Sequence, residues 1–91
     1  MIKTIHKVEL RTSSEQEVWL PLGAIPLRVE VIDSEWFMWY EFDIKNEEEK
    51  KPVTVEIFGT GHLIEGRENL TYVNTFFQDE FVWHVYWRKH G

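Results

Sequence analysis

No cysteine occurs among the 91 residues, which removes disulfides, thiolate-bound metals and cysteine nucleophiles together. That absence leans towards a reducing compartment, and the expected location is the cytoplasm. Long hydrophobic runs are missing too. The first ten residues, MIKTIHKVEL, alternate polar and apolar side chains and do not read as a signal peptide. No segment approaches the roughly 18 apolar residues that a membrane span requires. Basic charge is scarce: ten Lys and Arg face sixteen Asp and Glu, for a net charge of −6. The footprint of a nucleic-acid-binding protein is therefore absent. The acidic excess has one concentrated run, Glu47, Glu48 and Glu49, which Lys50 and Lys51 dilute at once. It reads as a solvated loop rather than as mimicry of DNA.

What the chain does have is aromatic bulk, with five Trp, six Phe and three Tyr. Large rings bury much area per residue, which a domain this small needs, so most of them are expected in the core. Period-two alternation runs from end to end. Ile2, Thr4, His6, Val8 and Leu10 fall on one face of a first strand, and a polar turn at 12–16 leads to a short second strand over 17–20. Leu27, Val29 and Val31 mark a third. A tight turn at Asp33 and Ser34 joins it to a fourth over 35–43, with Trp36, Met38, Tyr40 and Phe42 on one side and Phe37 and Trp39 on the other. Two aromatic faces place that strand at the centre of a sheet, or set one face against something outside the domain. Residues 44–51 read as a charged hairpin loop closed by Pro52, and Val53, Val55 and Ile57 as a fifth strand. Residues 70–77 and 81–88 form a last hairpin, with Trp83, Val85 and Trp87 on one face and Val82, His84 and Tyr86 on the other. The expectation is a single all-β domain over residues 1–91, a small antiparallel sandwich or barrel of about seven short strands.

The most informative segment is Gly59-Thr60-Gly61-His62. Two glycines at a strand end allow a sharp turn and close approach to a ligand. Their amides, with the Thr60 hydroxyl and His62, suit a concave anion-binding nest; the alternative is an ordinary strand-to-loop turn. Neither a Lys-Ser/Thr pair nor a helix follows, so it is no phosphate loop of the nucleotide hydrolases. Arg67 is placed to pair with a phosphate. Trp39, Tyr72 and Tyr86, with Trp36 and Trp83, supply faces on which a nucleobase-like ring stacks, unless they are core. His84 reads either as a half-buried structural residue or as a polar group presented to a ligand. A metal site from His62, Glu65 and His84 lacks close ligand spacing, and no metal or cofactor is expected. Ser13, Ser14 and Ser34 lie in polar turns, without the strained elbow of a nucleophile. An enzyme is accordingly not the expected class; a signal-degrading enzyme centred on His62 and His84 ranks third among the readings.

The run Val18-Trp19-Leu20-Pro21-Leu22-Gly23-Ala24, then Leu27-x-Val29, Met38-Trp39 with Asp43, Phe58-Gly59-Thr60-Gly61-His62-x-Ile64, Leu70-Thr71-Tyr72-Val73-x-Thr75-Phe76 and Val82-Trp83-His84-Val85 resembles a family of uncharacterised small bacteriophage proteins. The resemblance implies a phage-encoded accessory protein acting in the cytoplasm of an infected bacterium. Such proteins often counter host defence, by analogy of context. The leading expectation is a protein that binds and sequesters a nucleotide-derived immune signal, of the cyclic ADP-ribose kind, without cleaving it. Its ligand site comprises Gly59, Thr60, Gly61, His62, Arg67, Trp39, Tyr72, His84 and Tyr86. A drug-sized ligand needs roughly 300–1,000 Å³, more than so small a domain can enclose, so the pocket is expected between subunits of a homo-oligomer. The alternative is a protein–protein inhibitor docking on a host defence protein through an aromatic face with an acidic rim. Neither nucleic acid nor membrane is an expected partner.

Overall fold

Alternation becomes extended backbone throughout the computed structural model, which describes residues 1–66 and 68–89. The strands are β1 (Lys3–Leu10), β2 (Glu15–Pro21), β3 (Ile25–Ile32), β4 (Glu35–Asp43), β5 (Lys50–Gly59), β6 (Thr71–Gln78) and β7 (Phe81–Lys89), with a single 3-10 turn, Ile44–Asn46, between β4 and β5. They form two antiparallel sheets, β1-β4-β3 and β2-β5-β7-β6, stacked as a sandwich in a slab of 40 × 33 × 18 Å. No helix is long and apolar enough to cross a membrane among the described residues.

The core lies between the sheets. Val29 and Met38 from one side and Val55 and Val85 from the other are wholly inaccessible. Trp36, Met38, Tyr40 and Phe42 of β4 all point inward and are buried, whereas Phe37 and Trp39 on its other face are half-buried. The strand with two aromatic faces is thus the central strand of its sheet, as its composition suggests. On the outer side the Lys7 ammonium sits 4.8 Å from the Phe37 ring centre. On the inner side burial, and then the negative charge of Glu47, push the Tyr40 phenol above its ordinary value.

Three details depart from simple alternation. The segment 44–51 is not a hairpin loop: β4 and β5 belong to different sheets, so it crosses from one to the other. Asp43 accepts the Lys45 amide at 3.1 Å to start that crossing. In β3 the register shifts between Pro26 and Arg28, so Leu27 is the bulged residue and is exposed instead of sharing the face of Val29. In β6 the shift falls between Tyr72 and Asn74. Val73 is the extra residue, and it sets Tyr72 outward opposite Tyr86 and Asn74 inward opposite Val85.

Two buried carboxamides tie the sheets together, and the bulges flank the first of them. The Asn74 side chain accepts the Val29 amide at 2.8 Å and donates to the Val29 carbonyl at 2.9 Å. It copies a peptide group and ties edge strand β6 to edge strand β3 of the facing sheet. Gln16 does the same at the opposite seam, accepting the Arg11 amide at 3.0 Å and donating to the Arg11 carbonyl at 2.8 Å, which joins β2 to the end of β1. Buried backbone groups demand such partners.

Replacing Asn74 with Leu leaves two backbone groups of buried Val29 unpaired, at about 1–3 kcal/mol each. We expect Asn74→Leu to cost about 3 kcal/mol and Gln16→Leu about 1–2 kcal/mol, because Arg11 is more exposed. Urea denaturation with an unchanged m value checks both.

Candidate functional site on the outer face of the four-stranded sheet

Pairing register decides which side chains share the outer face. Phe58 of β5 stands opposite His84 of β7, which stands opposite Thr75 of β6. In the next row Glu56, Tyr86 and Tyr72 are aligned in the same way. Thr60 follows the last residue of β5 and reaches back over the sheet to His84.

The result is a continuous hydrogen-bonded row. Thr60 Oγ1 lies 2.8 Å from His84 Nε2, His84 Nδ1 lies 3.0 Å from Thr75 Oγ1, and Thr75 Oγ1 lies 2.7 Å from the Tyr72 hydroxyl. A neutral imidazole carries one N–H and one acceptor nitrogen. The row can therefore run in either sense, with Tyr72 donating to Thr75 and His84 to Thr60, or with Thr60 donating to His84 and Thr75 to Tyr72. Beside it the Tyr86 ring meets Tyr72 edge-on at 5.5 Å and Phe58 at 5.8 Å. Tyr72 remains 54% exposed. Glu56, only 1% exposed, holds an ion pair of 3.7 Å with Arg88 on the same face.

The turn after β5 is built by His62. Its amide donates to the Gly59 carbonyl at 3.1 Å, and its Nδ1 accepts the Gly59 amide at 3.2 Å. A Cβ on Gly59 would stand 3.0 Å from the imidazole Cε1, which explains the glycine there. Gly61 has φ of +92°, which L side chains rarely adopt. The expected nest thus takes a different form: the Gly59 amide is engaged within the turn, and Thr60 is the group the turn presents to the sheet.

Of the residues singled out from the sequence, Thr60, Tyr72, His84 and Tyr86 come together on this face. Gly59, Gly61 and His62 shape the turn that delivers Thr60. Trp39 lies on the outer face of the other sheet, between Lys7 and Arg28, and is no part of the site. Arg67 lies outside the described residues. Two members were missed, Thr75 and Phe58. Thr75 was within reach: a two-residue turn at Asp79 and Glu80 sets residue 75 opposite 84. Among the described residues no group of three His, Asp or Glu is placed to share a metal ion.

Thr75→Val keeps the shape of the side chain while removing its bonds to His84 and Tyr72. We expect a loss of about 1–2 kcal/mol and a redistribution of the His84 ring tautomers, read by long-range ¹H–¹⁵N NMR; ring signals identical to wild type would show the row to be broken in solution.

No curated protein and no solved structure matches the chain. The family whose model matches residues 1–91 is Domain of unknown function (DUF7352), and the chain belongs to that family over its whole length.

Proposed function

We propose that the protein is a binding module that holds a nucleotide-derived small molecule, intact, on the outer face of the four-stranded sheet. The observation that carries this reading is the row Thr60–His84–Thr75–Tyr72 laid beside the rings of Tyr86 and Phe58. Aromatic faces suit the ring of such a ligand, with stacking worth roughly 1–3 kcal/mol per base. Hydroxyls and an imidazole that can each donate or accept suit its ribose and phosphate oxygens. Both nitrogens of His84 are engaged by threonine hydroxyls, and Nδ1 of His62 by Gly59; recovery of the ligand unaltered is what separates holding from cleavage.

The face is shallow, whereas sites for small molecules bury 70–90% or more of a drug-sized ligand. A second copy of the chain packed against this face supplies the missing wall. Tyr72 and Phe77 stand on it, Phe77 at 68% exposure, and a slab side of 40 by 33 Å accommodates the roughly 800 Å² per partner of a standard interface. Together with the resemblance to small phage proteins, this supports reading the molecule as a counter-defence protein that withdraws a cyclic ADP-ribose-like signal in the host cytoplasm.

One observation favours a second reading. Trp19, 60% exposed, lies on β2 between Glu17 and the strand end, with Glu15 further along the same outer face. An aromatic anchor with an acidic rim is the composition of a surface that docks on a host defence protein.

Thermal unfolding against mono-, di- and cyclic nucleotides and ADP-ribose derivatives separates the two. A ligand at a hundredfold excess over Kd adds about 2.7 kcal/mol, several degrees for a domain of this size. We expect such a shift, recovery of the ligand unaltered, loss of the shift in Tyr72→Ala and Thr60→Ala, and a dimer by light scattering. A flat response across the panel supports docking on a protein instead, and recovery of an altered ligand makes the protein an enzyme.

A further inference from the structure

The two turns that close one end of the sandwich enclose a second feature. A cavity of about 270 Å³ opens between the turn at 12–14 and the side chain of His62, with Trp36, Ile57 and Trp83 as its walls. From these residues we propose a second binding site, for a small uncharged heteroaromatic ring, separate from the outer face of the four-stranded sheet. This proposal does not rest on the outer-face reading.

The chemistry of the lining selects the ligand. Among the described residues no side chain bearing a formal charge lines the cavity, so an ion entering it would lose hydration with no counter-charge from them. The contrast with the larger groove bordered by Arg11, Glu15, Glu17, Arg88 and Lys89 is direct. Trp83 supplies the aromatic wall, backed by Phe81 at 5.7 Å in a stacked pair and packed at 5.7 Å against Trp36, which is itself only 3% exposed. An apolar cavity of roughly 150 Å³ accepts benzene; the one here has room for a fused bicyclic ring.

The polar atoms point the same way. The Trp36 indole N–H is taken by Gln78 Oε1 at 3.1 Å and the Trp83 N–H is sealed from solvent, so neither is offered to a ligand. His62 supplies the donor. Its Nδ1 accepts from Gly59, which places the proton of the neutral ring on Nε2. The turn at 12–14 is held in place by the Ile57 amide, which donates to the Ser14 carbonyl at 2.8 Å, so the mouth is a formed structure. The ligand is thus a neutral planar ring with hydrogen-bond acceptors on its edge, of the purine type.

Adenosine is the probe, titrated against the full chain by calorimetry and by tryptophan fluorescence, with inorganic phosphate as the charged control. We expect saturable quenching by adenosine and none by phosphate. Thr12→Phe, at an exposed position over the mouth, should weaken binding at least tenfold, roughly 1.4 kcal/mol, with its urea midpoint unchanged. Trp83→Phe, which cuts back the aromatic wall, should weaken it too. Tyr72→Ala should leave it intact. The proposal is overturned if adenosine gives no saturable response, or if Tyr72→Ala abolishes binding while Thr12→Phe does not, which would put the ring on the outer face.

Discussion

Two side-chain amides set the geometry on which everything else depends. The sheets share no backbone ladder, and apolar packing alone does not specify how far one slides over the other. Gln16 and Asn74 remove that freedom, because each forms a two-point bond with the backbone of a single residue, Arg11 just past β1 and Val29 in β3. They sit at the two opposite seams, β2 against the end of β1 and β6 against β3. A two-point bond tolerates little slip, so the pair acts on the whole sandwich as two pins act on a plate. Polar groups this deep are costly when unpaired and specifying when paired.

The outer-face row inherits its order from those pins. Asn74 is fixed to β3, Thr75 is its neighbour in the chain, and Thr75 is the middle member of the row that joins Tyr72 to His84. On β7 the same alternation sends Val85 into the core and His84 outward. A change at the seam is therefore felt at the face through one peptide unit, with no need for a long path. The turn after β5 is independent of this, held by His62 on Gly59, and it brings Thr60 to the row from the other side.

Much of the fold was legible because alternation is a local signal. The seven strands, the central place of the strand at 35–43 and the division of the last strand into two faces all follow from side chains two residues apart. What was not legible depends on register between distant segments. Nothing near Asn74 announces that its partner is Val29, and a bulge at Val73 looks like any valine in a strand. The crossing at 44–51 resembled a hairpin because its charged residues and Pro52 suit either. The same division holds for the site. Thr60, Tyr72, His84 and Tyr86, chosen for their chemistry, share one face. Trp39 stands on the other sheet, because type alone does not say which sheet a ring belongs to, and a threonine such as Thr75 carries no chemical flag until it is set opposite a histidine.

The bulge in β6 has a consequence for how the strand tolerates changes in length. Counting by twos from Asn74 would put Tyr72 inside, next to the core; the supernumerary Val73 resets the count so that Tyr72 emerges on the surface. An unbulged strand one residue shorter, lacking only Val73, keeps the same parity on both sides. A deletion elsewhere in the strand, with the bulge retained, inverts the parity of the stretch it displaces and exchanges ring for core. Position 73 is thus where β6 can lose a residue and leave both the seam and the outer face in phase.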